Sequence, residues 1–193
     1  GNFHEIGKNT NYDRDVHNLL EKFNTHINFT QDEENLGKKI LKKFDINKFV
    51  CLNVRDSAYL DRLQKHSDQD WSYHNFRDGN VDLYMEAAEE LVKRGYHVFR
   101  MGAIVLKPFK STSSKIIDYA NSDIRSDFMD IYLGAKCSFC ITTGAGFDEV
   151  PRIFKKPIAW VYVPLGNFLT NNKQDLLITK NHINKQNNKK LSL

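Results

Sequence analysis

The chain has 193 residues, of which 40% are hydrophobic and 27% are charged, and its formal net charge is +4. This is the composition of an ordinary globular domain, which excludes a disordered chain and makes disulfides or a structural metal unnecessary for a stable core. No apolar run approaches the roughly 20 residues that span a bilayer, and the polar first residues are unlike a signal peptide.

The first 47 residues, 1–47, are predicted to form a helical or linker segment ahead of the core. Thr30 and Glu33 have the spacing of a helix capping box. Apolar residues at helical spacing follow them as far as Phe44.

The core begins with the short apolar run 49–54, which predicts a strand covered on both faces, as in a parallel sheet. Residues 57–79 are polar and show no period, and they predict a long loop. Asn80 is expected to begin the next helix, and Gly95 to end it.

Strands and helices then alternate through the remainder of the predicted domain, which we place at 48–170. The further predicted strands are 96–101, 116–119, 138–141 and 158–163. This order indicates an α/β fold with a Rossmann-like open parallel sheet of about five strands and flanking helices. Residues 171–193 are rich in Asn and Lys, and Lys180 and the lysines after it are expected to belong to a solvated polar tail.

The three cysteines, Cys51, Cys137 and Cys140, lie in apolar strand-like runs. An odd count without the spacing of a disulfide framework indicates reduced thiols and a cytoplasmic location. Cys137 and Cys140 form a C-x-x-C, but residues three apart on a strand point to opposite faces. We therefore expect buried structural thiols, with a redox or metal pair as the alternative.

Ligands of open parallel sheets bind beyond the carboxyl ends of the strands. Polar, small and charged residues stand at four predicted strand ends, and they are the candidate site. They are Arg55, Asp56, Arg100, Gly102, Ser122, Asp123, Arg125, Ser126, Thr142, Thr143, Gly144, Ala145 and Gly146.

These residue types indicate a phosphate or diphosphate site. Small residues at 144–146 allow close approach to the backbone, and N–H groups at a helix start favour negative charge. Arg55 and Arg125 offer bidentate hydrogen bonds to phosphate oxygens, although Arg55 could instead simply pair with Asp56 or another acid. The alternative for the glycines is a ligand-free turn, and the pattern is neither a Walker A motif nor G-x-G-x-x-G. The D-x-D triplets 13–15 and 68–70 are interpreted as solvated acids rather than metal ligands.

Several segments together carry a resemblance to a known family. In order they are Cys51–Leu60, Tyr73–Asp78, Arg100–Gly102, Ile117–Ala120 and Arg125–Asp130. They resemble a family of bacterial glycosyltransferases associated with surface-polysaccharide synthesis. The resemblance covers about Phe49 to Pro164, with weaker similarity through 175–180.

The resemblance implies a GT-B enzyme, in which two Rossmann-like domains face each other and the carboxyl-terminal one holds a nucleotide-sugar donor. A strand-end arginine, here Arg55, would contact the donor's phosphates, as in fucosyltransferase-like enzymes. Asn53 stands where that wider pattern has histidine. One such domain fits in this chain, so either an acceptor domain is expected upstream or the protein has diverged.

In the function that follows from the resemblance, Arg55, Arg125 and the 143–146 backbone would stabilise the leaving diphosphate without a metal or other cofactor. Asp56 is the nominee for the catalytic base. The expected partners are a nucleotide-sugar donor and a glycan or glycolipid acceptor, with no nucleic acid and no transmembrane segment, either free in the cytoplasm or peripheral at the inner membrane. The alternatives are a non-catalytic nucleotide- or phosphosugar-binding module and a purely structural or interaction domain.

Overall fold

The computed structural model describes residues 19–64, 70–164 and 172–191. Its α-helices are α1 Leu19–Lys22, α2 Gln31–Lys43, α3 Ala58–Gln64, α4 Met85–Lys93, α5 Asp127–Lys136 and α6 Glu149–Ile153. Its strands are β1 Phe49–Asn53, β2 His97–Arg100, β3 Ile116–Ile117, β4 Phe139–Thr142, β5 Ile158–Val163 and β6 Leu176–Thr179. Within these ranges no helix has the length and apolar character needed to cross a membrane.

The strands form one open parallel sheet in the order β3-β2-β1-β4-β5-β6. This confirms the predicted α/β fold with a Rossmann-like parallel sheet. The order reverses between β1 and β4, where the chain crosses from one half of the sheet to the other. In open α/β sheets this switch point creates a crevice beyond the carboxyl ends of the two central strands.

The sheet has one strand more than expected, because β6 lies inside 171–193, which the sequence indicated to be a polar tail. β6 pairs with β5 from Ala159 opposite Leu176 to Val163 opposite Thr179. Tyr162, which has a φ of 62°, interrupts the register. The sheet therefore extends to Thr179, and Lys180 follows directly at its carboxyl edge.

The amino-terminal helix begins as predicted. The Thr30 hydroxyl accepts from the Glu33 N–H, and the Glu33 carboxylate accepts from the Thr30 N–H, which completes the capping box. α2 packs against α5, where the ring of Tyr132 lies so close to Gly37 that a β-carbon at that position would overlap it. This contact holds α2 against α5.

The region 57–79 contains more structure than the predicted loop. α3 follows β1 directly, and a 3₁₀ turn, Ser72–Arg77, precedes Asn80. As expected, Asn80 caps the next helical segment, accepting from the Asp82 N–H, and the chain leaves α4 at Gly95 with a φ of 84°. The 3₁₀ turn matters because it lies over the switch point.

Alternating strand residues pack into two apolar layers, one on each face of the sheet. Phe49, Cys51 and Phe99 belong to the layer that contains α5. Leu52 and Val98 belong to the layer that contains α4. A sheet covered on both faces explains why the central strands read as continuous apolar runs, and it leaves the strand ends as the place for polar side chains.

Candidate functional site

The first turns beyond β1 and β4 are joined to each other by hydrogen bonds. The Thr143 N–H donates to the Asn53 carbonyl oxygen over 3.1 Å, which continues the β1–β4 ladder by one step. The Arg55 N–H then donates to the Thr143 hydroxyl at 2.9 Å. These contacts fix the Arg55 backbone at the switch point.

Asp148 organises the turn that follows β4. Its buried carboxylate accepts from the Asn53 amide over 3.2 Å, and also from the Thr142 hydroxyl and the Ala145 N–H. Burial raises the pKa of Asp148 to about 7, while those three hydrogen bonds act in the opposite direction. The side chain of Asn53 therefore helps to hold the turn after β4 in place through Asp148.

The backbone of the 143–146 turn differs from the sequence expectation that its N–H groups would be open to an anion. The Thr143 N–H is used in the ladder, the Gly144 N–H donates to the Thr142 hydroxyl at 3.0 Å, and the Ala145 N–H donates to Asp148. These three donors serve the turn itself. With three of the four N–H groups of 143–146 used in this way, anion binding at this edge relies mainly on side chains.

A cavity of about 560 Å³ opens beyond the carboxyl ends of β1, β2 and β4. Its polar and charged lining comprises Asn53, Arg55, Asp56, His74, Arg77 and Asp130. Its apolar lining includes Tyr59, Leu60, Ile104, Val105, Ile131, Phe147 and Val150. The cavity can therefore hold a ligand that has both a charged and a flat or apolar part.

Arg55 lines the cavity with most of its side chain buried. Its Nη1 pairs with the Asp78 carboxylate and donates to the His74 carbonyl oxygen over 3.2 Å. In the part of the chain that the structure describes, both hydrogen bonds of the guanidinium use Nη1. Nε and Nη2, the edge that binds phosphate in a bidentate manner, remain for a ligand.

Arg77 adds a second guanidinium to the lining of the cavity. Its Nη2 donates to the Gly144 carbonyl oxygen over 3.1 Å, which connects the 3₁₀ turn to the turn after β4. Burial lowers the pKa of Arg55, and the positive charge of Arg77 lowers it further. Burial, Arg77 and Arg55 in the same way lower the pKa of His74. These two guanidinium groups, which repel each other, are the part of the lining that is suited to a negative ligand.

Asp56, the nominee for the catalytic base, also lines the cavity, but the fold uses both of its oxygens. Oδ1 accepts from the Ala58 N–H at 3.1 Å, and Oδ2 accepts from the Leu106 N–H at 3.0 Å. Arg100, which is fully buried, lies 3.8 Å from Oδ2 and also pairs with Asp118 at 3.1 Å. Arg100 therefore lies behind the wall that Asp56 forms, and does not line the cavity.

The structure distributes the predicted site residues over three places. Arg55, Asp56, Gly102, Ala145 and Gly146 line the cavity. Arg100, Thr142, Thr143 and Gly144 are buried at its base.

The predicted residues after β3 lie elsewhere. Ser122 and Asp123 line a separate groove of about 900 Å³ that also receives residues preceding β1, β2 and β3. Ser126 caps α5 by accepting from the Met129 N–H. Arg125 pairs with Asp127 at 2.9 Å and with Asp130 at 2.7 Å. The structure thus does not bring this segment to the cavity wall next to Arg55.

The sequence interpretation missed three residues of the site, Arg77, Asp130 and Asp148, and it treated His74 as a surface histidine rather than a general base. Arg77 and His74 belong to the segment Tyr73–Asp78 that carries part of the family resemblance, and this was the available signal. Asp148 offered no signal beyond a carboxylate shortly after a glycine-rich turn. Of the D-x-D triplets, only Asp70 is among the described residues.

Comparisons with family models, curated proteins and solved structures found no match to this chain. The resemblance to bacterial glycosyltransferases therefore stays a prediction.

Proposed function

We propose that this domain binds the nucleotide-sugar donor of a glycosyltransferase, as the carboxyl-terminal half of a GT-B enzyme of bacterial surface-polysaccharide synthesis. The observation that carries the proposal is a cavity at the switch point of a 3-2-1-4-5-6 sheet with Arg55 and Arg77 in its lining. This is the place where Rossmann-like sheets bind dinucleotides. Its size lies within the roughly 300–1,000 Å³ of small-molecule sites.

The charged and the apolar lining residues of the cavity suit the two parts of a nucleotide sugar. Arg55 and Arg77 bind the diphosphate through charge-assisted hydrogen bonds. The apolar lining, with Tyr59 and Phe147, receives the flat base or the sugar. As the glycosyl bond breaks, negative charge grows on the diphosphate, and fixed guanidinium groups stabilise it without reorganisation.

A thermal-shift screen tests this proposal on the chain as it is. UDP, GDP and ADP, together with their common sugar derivatives, are compared at fixed ionic strength. A ligand present at 100 times its Kd adds about 2.7 kcal/mol to the stability of the folded state, which is readily measured. We expect at least one nucleoside diphosphate to raise the Tm of the wild type and not that of Arg55→Ala. A Tm that responds to none of them would overturn the proposal.

A non-catalytic nucleotide- or phosphosugar-binding module is the second candidate, and the state of Asp56 favours it. Both carboxylate oxygens accept backbone hydrogen bonds, so the nominee for the base is already used by the fold. An assay for transfer or hydrolysis of the sugar nucleotide, with the products separated by chromatography, distinguishes the two functions. Binding without turnover, in a protein that includes any acceptor domain, would favour the module.

A further inference from the structure

Lys180 is a long cationic side chain from the far edge of the sheet that reaches the turn beside the cavity. It follows β6 directly, and its Nζ donates to the carbonyl oxygens of Phe76 and Asp78 at 2.8 and 2.9 Å. The same Nζ lies 4.9 Å from the centre of the Tyr162 ring. The ammonium group is thereby fixed beneath the short stretch that carries Arg77.

The contacts of Lys180 satisfy its hydrogen bonds but leave its charge without a counterion. Carbonyl oxygens and an aromatic face are neutral partners, and in the described part of the chain the ammonium group pairs with no carboxylate. Asp78, the nearest acid on the turn, directs its carboxylate to Arg55 instead. A positive charge therefore remains at this edge.

The charge of Lys180 acts on the same place as the charge of Arg55. Burial lowers the pKa of Lys180, and the positive charge of Arg55 lowers it further. Arg55 is in turn repelled by Arg77. Cations that repel each other in a half-buried position raise the free energy of the unliganded state, and an anion of matching charge relieves that repulsion.

Resting on the proposed function, we infer that Lys180 is a positioning residue of the donor site and makes it selective for a diphosphate over a monophosphate. It holds the Phe76–Asp78 backbone, so that Arg77 faces the cavity, and it adds a third positive charge behind Arg55. Asp78 already neutralises one of these three cations, so two positive charges remain. A diphosphate carries more negative charge and is longer than a single phosphate group, so it matches that pair of charges better.

Isothermal titration of the wild-type chain with inorganic pyrophosphate, inorganic phosphate and UDP, GDP or ADP tests the inference. Pyrophosphate is expected to bind at least about tenfold more tightly than phosphate, as one added charge-assisted hydrogen bond would give. Equal affinity of the wild type for the two anions would overturn the proposed selectivity. This measurement needs no variant. A wild type that binds no anion at all overturns the proposed function together with this inference.

The variants separate charge from structure. Lys180→Gln retains a donor for the two carbonyl oxygens and loses the charge, so pyrophosphate affinity should fall at least about tenfold and depend less on salt. Lys180→Arg should restore both the pyrophosphate affinity and its dependence on salt. Lys93→Gln, the same change of charge on the exposed end of α4 next to the opposite edge of the sheet, is the matched control and should have no effect.

Two results would overturn the role of Lys180 while leaving the proposed function intact. The first is that Lys180→Gln binds pyrophosphate and the nucleotide as tightly as the wild type. The second is that Lys180→Arg binds as weakly as Lys180→Gln, because the positive charge would then be insufficient and a purely structural lysine would explain the loss. Thermal melting of each variant shows that the compared proteins are folded.

Discussion

Arg77 donates from Nη2 to the carbonyl oxygen of Gly144 over 3.1 Å, and this contact joins two loops that are 67 positions apart in the chain. The loops leave β1 and β4, the two strands on either side of the switch point. The wall of the cavity is therefore assembled from two halves of the sheet. A ligand on that wall is held by both halves.

Removal of the Arg77 guanidinium is expected to weaken ligand binding more than it weakens the fold. In Arg77→Gln, affinity for the nucleoside diphosphate should fall at least about tenfold, since hydrogen bonds to charged groups contribute about 1.5–3 kcal/mol. Stability should fall by about 1 kcal/mol for the lost contact with Gly144. Titration calorimetry and urea unfolding measure the two effects. Arg94→Gln, an exposed arginine that pairs with Glu90, serves as control, and a loss of the same size there would refute the assignment.

Alanine substitutions at two glycines of the turn after β4 distinguish an effect on backbone strain from an effect on ligand access. Gly144 has a φ of 87°, so Gly144→Ala should cost about 1–2 kcal/mol of stability. A β-carbon at Gly146 would have no heavy atom within 4 Å, and Gly146 lines the cavity. Gly146→Ala should therefore leave the Tm unchanged and weaken ligand binding. Equal Tm values for the two variants would show that the turn is not strained as described.

Buried Asp148 should make stability depend on pH in an unusual direction. An aspartate in an unfolded chain has a pKa of about 3.9, whereas burial raises the pKa of Asp148 to about 7 in the folded state. Between these pH values the folded state keeps a proton that the unfolded state has released. The stabilisation is complete below the unfolded pKa and is lost as the pH rises through the folded pKa.

Asp148→Asn removes that titration and retains the shape of the side chain. The difference in unfolding free energy between wild type and variant should change by up to about 1.4 kcal/mol per pH unit between the two pKa values. Urea unfolding at several pH values from acid to neutral measures it. Curves that run parallel for the two proteins would show that Asp148 is ionised throughout.

Much of the fold could be predicted because the central strands are covered on both faces. A strand such as β1 must then be apolar at every position, and this pattern stands out from the polar segments beside it. β6 could not be predicted in this way, since it is an edge strand whose residues are exposed or half-exposed. Its short apolar run between Asn-rich stretches looks the same as a tail.

The site was predictable only as far as topology determines it. Carboxyl ends of parallel strands share one edge, so Arg55 and the 143–146 turn had to be neighbours. The position of Arg77 depends on the 3₁₀ turn Ser72–Arg77, which has no periodic signal. Ser122 and Asp123 lie away from the cavity because another 3₁₀ turn, Tyr119–Asn121, separates them from β3. Local turns, rather than strand order, decide which side chains enter the cavity.

The cysteines should behave as buried thiols without redox function. Cys51, Cys137 and Cys140 are all free and fully buried, and burial raises the pKa of Cys51 and Cys140. We expect no rapid reaction of the folded protein with a thiol reagent, and three reactive thiols after denaturation. Fast labelling under native conditions, or a mass lower by two hydrogen atoms after mild oxidation, would instead indicate an active C-x-x-C.

The role of Arg125 can be tested directly, because the sequence interpretation placed it in the site whereas the structure pairs it with carboxylates. Its Nη2 lies 2.7 Å from Asp130 Oδ2, and the Tyr119 hydroxyl donates to Asp130 Oδ1 over the same distance. Arg125→Gln leaves the Asp130 carboxylate at the cavity wall without its cation. Both stability and anion affinity should therefore fall in this single variant.

The double variant Arg125→Gln with Asp130→Asn distinguishes a ligand contact from a structural pair. If Arg125 only neutralises Asp130, removal of both charges should return the nucleotide affinity close to that of the wild type. A double-mutant cycle of unfolding free energies should give a coupling energy of about 0.5–3 kcal/mol between the two residues, as for residues in one network. An affinity that stays low in the double variant would mean that the ligand contacts Arg125, and the cavity would then extend to the start of α5.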